Sequence, residues 1–236
     1  MTDSIDHASN QTAAEFFGAR IPEYDSLIRR AVPGYEELTA ALVAELPTAA
    51  GTVLELGCGT GNLSLRLAAR YPAASITFVD ASADMVAVTA ARVKAADAAL
   101  AARSSFHVGR FEELDLPAAS FDVVTSAIAL HHVEQKAPLY RRMHGLLKPG
   151  GRCCFADQLR MGHQESQEYH WQRFLAFWHQ PGHLNAAEVA ELLAHSAAHD
   201  HYETLEHQFA LLRSAGFSEL DAPWRVGLWG LISATA

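Results

Sequence analysis

The stretch that decides the fold is Val53-Leu54-Glu55-Leu56-Gly57-Cys58-Gly59-Thr60-Gly61-Asn62. Its first half belongs to a short apolar run from Thr52 to Leu56, a composition that predicts a buried strand. Three glycines interrupt the run, and the residues from Leu63 onward predict a helix. Glycine lets the backbone approach a ligand closely, and the start of a helix offers unpaired N–H groups to an anionic group. The stretch therefore predicts a strand, a ligand-binding turn and a helix.

Two acidic residues narrow the kind of ligand that this turn would bind. Glu55 stands two residues before the first glycine, and Asp80 ends the next predicted strand, Ser75 to Asp80. An acid at the end of the second strand can accept hydrogen bonds from the hydroxyls of a ribose. The same strand, glycine turn and helix also open dinucleotide-binding units, so this pattern by itself leaves the cofactor open.

Four stretches, taken in order, resemble the motifs of the class I S-adenosylmethionine (SAM)-dependent methyltransferases. They are the glycine turn at 55–61, the strand end at 79–85, the strand at 120–126 and the turn at 146–152. The resemblance covers residues 50–157 well and the remaining chain weakly. It implies an α/β fold, namely a Rossmann-like, mostly parallel seven-stranded sheet with an antiparallel C-terminal hairpin.

The organisation of the chain around this sheet is predicted as follows. Residues 1–48 form a helical N-terminal lid that begins with a polar segment over 1–10. A short helix over 13–20 is interrupted at Ile21-Pro22, and two further helices follow over 24–31 and 35–46. Residues 49–236 form the methyltransferase domain, in which 158–203 are a helical insert over the substrate. One helix is predicted over 82–101, and the closing hairpin pairs 217–220 with 226–232, with Pro223 near its turn.

The resemblance implies SAM as cofactor, with the glycine turn at its methionine part and Asp80 at its ribose. In relatives an aspartate near the third strand accepts from the adenine amino group, but Arg110 stands there and has donors only. Backbone groups near Arg110 and Phe111, or Glu112, would then bind the adenine. The predicted cofactor-binding residues are Tyr24, Glu55, Gly57, Cys58, Gly59, Gly61, Asn62, Asp80, Ala81, Met85, Arg110, Phe111 and Ala127.

Candidate catalytic and substrate-binding residues follow the later strands. His131 and His132 come after the fourth strand and Asp157 ends the fifth, where open α/β sheets place their ligands. A histidine is suited to act as a general base, although each of these residues can equally order its loop. In the insert, Tyr169, Arg173 and Trp178 are predicted to bind substrate, since aromatic side chains suit a small apolar acceptor and arginine suits a carboxylate.

Histidines in the second insert helix raise the question of a metal. Glu191, His195 and His199 share a helix face, and His199, Asp200 and His201 follow one another. A helical histidine pair at this spacing can bind a transition metal. Because no further motif supports such a site and the chain has 13 histidines, we predict no metal.

Composition restricts the partners. The formal charge of −9 comes without a basic run, which disfavours nucleic acid. No apolar run is long enough for a membrane span, and the N-terminus lacks a signal-peptide pattern. With three cysteines and no disulfide framework, we expect a cytoplasmic protein with a small-molecule acceptor. The composition permits a homodimer without requiring one.

Three other functions are consistent with parts of the sequence. Some relatives convert SAM into a carboxylated cofactor used in tRNA modification, and neither the acidic charge nor the insert excludes this. The Arg110 departure would suit a protein that binds SAM without turnover. A nicotinamide-dependent oxidoreductase is disfavoured by the order of the four motifs. The identity of the acceptor atom, whether O, N, C or S, does not follow from the residues.

Overall fold

The fold is a three-layer arrangement in which helices cover both faces of one twisted sheet. The computed structural model describes residues 21–113 and 115–236, except for the side chain of Pro22. The predicted polar segment 1–10 and the helix over 13–20 lie outside the described residues. Among the described residues, no helix is long and apolar enough to cross a membrane.

The sheet contains seven strands in the spatial order β3-β2-β1-β4-β5-β7-β6. The first five run parallel, and β7 is antiparallel to both β5 and β6. This confirms the predicted Rossmann-like sheet with its antiparallel C-terminal pair. The strands are β1 Thr52–Leu56, β2 Ser75–Asp80, β3 Ser105–Val108, β4 Phe121–Ala127, β5 Leu147–Gln158, β6 Ser218–Val226 and β7 Trp229–Thr235.

Helices connect the strands and bury their apolar sides against the sheet. In chain order they are α1 Ile21–Ala31, α2 Tyr35–Glu45, α3 Asn62–Arg70, α4 Ala83–Ala96, α5 Ala98–Arg103, α6 Lys136–Leu146, α7 Gln164–Trp178, α8 Ala186–His199 and α9 Leu205–Ser214, with a single 3₁₀ turn at Leu130–His132. Leu38 and Leu42 of α2 are fully buried in the core that also contains Val53 of β1 and Leu231 of β7. The second helix of the predicted lid is therefore part of the layer that covers the sheet.

Three local predictions were wrong. Ile21 and Pro22 do not interrupt a helix but begin α1, since a first helical turn tolerates proline. The helix predicted over 82–101 is two helices, because Asp97 ends α4 and caps α5 by accepting from the Leu100 N–H at 2.9 Å. Pro223 lies inside β6 rather than at the hairpin turn. As an edge strand, β6 accommodates a residue that lacks an N–H.

The sheet brings the functional candidates to one edge. The carboxyl ends of β1, β2, β4 and β5 carry Glu55, Asp80, Ala127 and Asp157, and the loops that follow them meet above the sheet. Helices α1, α7 and α8 lie over that same edge and enclose a cavity there.

Candidate cofactor and acceptor site

The glycine turn is tightly bound to the end of β2. The N–H groups of Gly57 and Cys58 both donate to the Val79 carbonyl, at 2.8 and 2.9 Å. Gly57 has φ +75°, and a Cβ at this position would lie 2.3 Å from the Ala129 Cβ. Only glycine fits where the turn and the loop after β4 approach this closely.

Asp80 fastens the turn from the other side. Its two carboxylate oxygens accept from the N–H groups of Gly59 and Ser82, each at 2.9 Å. Burial raises the pKa of Asp80, although these hydrogen bonds lower it. The carboxylate retains further lone pairs, which can accept from a diol.

Glu55 is the second buried acid of this edge. Its side chain accepts a hydrogen bond from the Ser64 hydroxyl at 2.7 Å, and the residue is 1% exposed. Burial raises the pKa of Glu55 to about 8; the Ser64 hydrogen bond opposes the rise and the charge of Asp80 adds to it. Among the described residues, no lysine or arginine pairs with either acid.

Helix α1 is latched onto the glycine turn through Asp25. One oxygen of Asp25 accepts from the Thr60 hydroxyl at 2.5 Å and from the Asn62 amide at 2.9 Å. The other oxygen pairs with Arg92 at 2.9 Å, and Arg92 also donates to the Thr60 carbonyl. The latch carries the partly buried Tyr24 to the turn, where its ring would lie 3.9 Å from a Cβ placed on Gly59.

Beside this turn lies a cavity of about 620 Å³, counted with its open mouth. Most of its wall is apolar, including Leu27 and Ile28 of α1, Phe174 and Trp178 of α7, and Leu192 of α8. Tyr24 and Ile128 line it on the side of the glycine turn. Ile128 has φ +57°, a strained conformation for a β-branched residue, directly after β4.

A polar part of the cavity wall carries histidines and an aspartate. The ring of His131 contacts Asp157, with Nδ1 2.5 Å from Oδ1, and the His131 N–H donates to Asp157 Oδ2 at 2.8 Å. Asp200 Oδ1 lies 3.0 Å from His132 Nδ1, 3.6 Å from His131 Nε2 and 3.9 Å from His195 Nε2. The Tyr202 hydroxyl donates to the other oxygen of Asp200.

The surroundings shift the pKa values of these groups in different directions. Burial lowers the pKa of His195 to about 4, and burial together with the neighbouring His131 lowers the pKa of His132. Burial also acts to lower the pKa of His131, but the Asp157 carboxylate outweighs it and the net direction is upward. Burial opposes ionisation of Asp200, yet contacts with His132, His131 and Tyr202 hold its pKa well below the usual range.

Comparison with known proteins identifies the family. A methyltransferase domain family matches residues 53–151. A ubiquinone/menaquinone biosynthesis C-methyltransferase from Geotalea daltonii is 32% identical over 143 residues, covering 58% of this chain and 59% of that relative. Residues 53–151 are therefore a methyltransferase domain, and both matches support the resemblance to the class I SAM-dependent methyltransferases.

Two further similarities extend beyond the matched domain. An uncharacterised methyltransferase from Geobacillus kaustophilus is 27% identical over 223 residues, which is 92% of this chain and 90% of the relative. The structure of phosphoethanolamine N-methyltransferase 2 from Haemonchus contortus with S-adenosyl-L-methionine has a TM-score of 0.68 at 16% identity. It covers the whole chain and 61% of that protein, a likeness of fold. The chain spans about three fifths of the Geotalea relative's length.

The methyltransferase motifs bring most of the predicted cofactor residues together. Asp80 accepts from the Gly59 N–H, Glu55 accepts from Ser64 at the start of α3, and Asn62 donates to Asp25. The side chains of Cys58 and Met85 are buried, Ala81 is exposed, and Ala127 ends β4 next to the turn. Phe111 lies against Gly57, 3.4 Å from a Cβ placed there, whereas the Arg110 side chain is exposed and paired with Glu112 at 3.2 Å.

The structure places only one of the three residues predicted to bind substrate at the cavity. Trp178 lines the cavity, and its indole N–H donates to the Ala31 carbonyl at 2.7 Å. Tyr169 and Arg173 lie on the exposed side of α7, stacked on each other at 5.6 Å, and do not line the cavity. The helical phase explains the difference, because Tyr169 and Arg173 are four residues apart on the face opposite the buried Phe174 and Trp178.

Sequence reasoning missed several residues of the methyltransferase site. Asp25 gave no signal, since its partners Thr60, Asn62 and Arg92 are distant in the chain. Trp171 and Trp229 line the cavity, and their aromatic character was the available signal. Asp200 was noticed only as a neighbour of His199, whereas the structure places it among His131, His132 and His195.

Proposed function

We propose that this protein transfers the methyl group of SAM to a small molecule that has an apolar body and a polar nucleophilic group. The observation that carries the proposal is a cavity lined both by Tyr24 and Ile128, which neighbour the glycine turn, and by the polar residues His131 and Asp200. An acceptor lying along this cavity would have its apolar body against aromatic side chains and its polar group among the histidines.

The cofactor half of the proposal rests on charge. SAM carries a sulfonium and an ammonium group, and the described part of the turn offers two buried acids without a paired basic side chain. Asp80 would accept from the ribose hydroxyls, while Glu55 and the turn backbone would meet the methionine end. The sulfonium-bound methyl is already electrophilic, so the protein has chiefly to align the nucleophile and exclude water.

Helices α1 and α8 would supply that exclusion together. Arg30 of α1 forms a bidentate pair with Glu188 of α8 at 2.8 and 3.0 Å and donates to the His183 carbonyl at 2.7 Å. These contacts join α1 to α8, and both helices contribute residues to the cavity wall. We propose on this basis that, of the predicted lid over 1–48, α1 covers the site while α2 belongs to the sheet layer, and that 158–203 act as the acceptor-binding insert of a methyltransferase domain over 49–236.

The proposal also covers the acceptor class and the cellular location of the protein. The apolar wall of the cavity suits a low-mass acceptor better than a nucleic acid. Cys58, Cys153 and Cys154 are free and buried, which supports a reducing, cytoplasmic location. A homodimer stays compatible with the composition.

The test is transfer of labelled methyl from SAM to a panel of phenols, amines, thiols and enolisable acceptors, with product mass measured. We expect a mass gain of one methylene on an acceptor. The variant Leu192→Trp should fill the cavity and lower transfer by about tenfold or more while SAM affinity stays unchanged. Arg173→Ala is the matched control outside the cavity and should transfer at the wild-type rate.

Other results of that experiment would redirect the proposal. A modified SAM of higher mass without any methylated acceptor would indicate the carboxylated cofactor. Binding of SAM without transfer to any acceptor in the panel would favour a non-catalytic role. A rate that falls for Arg173→Ala but not for Leu192→Trp would place the acceptor on the exposed face of α7.

A further inference from the structure

Four potential metal ligands converge in the polar part of the cavity wall. Atoms of His131, His132 and Asp200 that can ligate a metal all lie within 4.8 Å of one another. His195 Nε2 is 3.9 Å from the same aspartate oxygen. The four residues come from the turn after β4 and from the end of α8, so the fold and not one helix brings them together.

The separations match those around a transition metal ion. In a tetrahedral zinc site with metal–nitrogen distances of about 2.0–2.1 Å, neighbouring ligand atoms lie about 3.3 Å apart. The distances from Asp200 Oδ1 to the three ring nitrogens are 3.0, 3.6 and 3.9 Å. A small inward movement of the His195 ring would complete a four-ligand set.

The hydrogen bonds around the cluster prepare its atoms for ligation. Asp157 Oδ1 lies 2.5 Å from His131 Nδ1, so a proton held there leaves the lone pair of Nε2 directed toward Asp200. A carboxylate–histidine pair of this kind commonly supports a metal-bound histidine. Tyr202 likewise donates to Asp200 Oδ2 and leaves Oδ1 for the cluster.

Asp200 Oδ1 itself needs a positive partner. This buried oxygen receives no hydrogen bond of acceptable geometry from the described residues, although three ring nitrogens surround it. A buried carboxylate oxygen in that state is costly unless a proton or a cation satisfies it. One metal ion at the centre would meet all four groups at once.

We propose that His131, His132, Asp200 and His195 bind a divalent transition metal of the zinc type. Neutral imidazoles and an ionised carboxylate are the donors that such ions prefer. This inference replaces the absence of a metal predicted from the sequence, where the two histidines after β4 could not be connected with α8. It makes His131 and His132 ligands rather than the general bases predicted from the sequence.

The position of the metal also specifies the acceptor, a step that rests on the proposed function. The ion would lie in the wall of the cavity that Tyr24 and Ile128 also line. An acceptor with a hydroxyl, thiol or amine could bind the ion through that atom as a fifth ligand and be held facing the methyl donor. The expected substrate class is therefore a small apolar molecule with one metal-binding heteroatom.

The test is a titration of Co²⁺ into tag-free, chelator-treated full-length protein, followed by visible absorption and by displacement with Zn²⁺. We expect one saturable site with the strong absorption of low-coordinate Co²⁺. Asp200→Asn and His132→Gln should each weaken the affinity by about 100-fold, and Asp157→Asn, which only positions a ligand, by about tenfold. His207→Gln, an exposed histidine paired with Glu203, is the matched control and should bind as the wild type does.

Binding is measured without SAM, so failure here is separate from failure of the proposed function. Thermal unfolding of each variant establishes that it is folded. The proposal is overturned if the wild type takes up no Co²⁺ at the site, or if folded Asp200→Asn and His132→Gln bind as tightly as His207→Gln. The cluster would then be a proton-linked hydrogen-bond network.

Discussion

The Asp122 carboxylate at the amino ends of the parallel strands (the amino edge) and the Glu55 and Asp80 carboxylates at the carboxyl ends (the carboxyl edge) have pKa values shifted in opposite directions. At the amino edge, Asp122 accepts from the N–H groups of Gly51 and Thr52, each at 2.8 Å, and pairs with Lys148 at 2.7 Å. Burial opposes ionisation there, but Lys148 and the N–H donors prevail and lower the pKa of Asp122 to about 2. At the carboxyl edge, burial raises the pKa of Asp80 and that of Glu55.

This difference separates structural charge from functional charge. Asp122 joins the starts of β1, β4 and β5 and has its cation built in. Glu55 and Asp80 are buried without a described basic partner, which costs free energy. A ligand that supplies the missing positive charge would offset this cost.

Two glycines with the same backbone conformation, one at each edge, allow the packing of the two edges to be compared. Gly57 and Gly150 both have φ +75°, but a Cβ on Gly57 would lie 2.3 Å from Ala129 whereas one on Gly150 meets nothing within 4 Å. Gly57→Ala should lower the free energy of unfolding by about 3 kcal/mol or more, and Gly150→Ala by about 1 kcal/mol, the cost of the backbone conformation. Urea unfolding measures both. Equal losses would mean that the contact with Ala129 relaxes freely.

Removal of Asp80 tests the functional edge. Asp80→Ala should weaken SAM binding by roughly 30- to 100-fold, on the order of 2–3 kcal/mol, because the ribose loses a charged acceptor and the turn loses its Gly59 anchor. Isothermal titration calorimetry measures the change. Asp84→Asn, which changes an exposed acid in the first turn of α4, is the matched control. Unchanged affinity for Asp80→Ala would refute this placement of the ribose.

Removal of Asp122 tests the structural edge. Its pKa is lower folded than unfolded, so its stabilisation is complete above about pH 4 and is lost as the pH falls toward 2. Asp122→Asn should therefore cost about 1–2 kcal/mol of unfolding free energy at pH 7, after allowance for its partial exposure, and almost nothing near pH 2. SAM affinity should not change. A pH-independent stability difference would show that charge is not the cause.

Weakening the Asp25 contacts that hold α1 on the glycine turn should have the smallest effect on SAM affinity. Asp25→Asn keeps the size of the side chain but removes the charge that pairs with Arg92, so SAM affinity should fall only about threefold to tenfold. Glu36→Gln, which removes another ion pair of the same helix region with Arg29, serves as the control. If both variants bind alike, Asp25 does not transmit the position of α1 to the turn.

Local sequence predicted the fold because each parallel strand carries its own signal. The apolar runs at β1, β2 and β4 and the glycines between β1 and α3 identified the sheet and its ligand-binding edge. The Asp97 cap and Pro223 were misjudged because capping and edge position depend on neighbours. The Asp25 latch and the approach of Asp200 to His132 join residues about 35 to 70 positions apart in the chain, which no local pattern reveals.

The most direct measurement is a calorimetric titration of the wild-type protein with SAM, with its demethylated product and with a nicotinamide dinucleotide. We expect micromolar one-to-one binding of SAM and of the product and no binding of the dinucleotide, because Glu55 and Asp80 have no basic partner among the described residues. Binding of the dinucleotide with no binding of SAM or its product would contradict the account and the role assigned to Glu55 and Asp80.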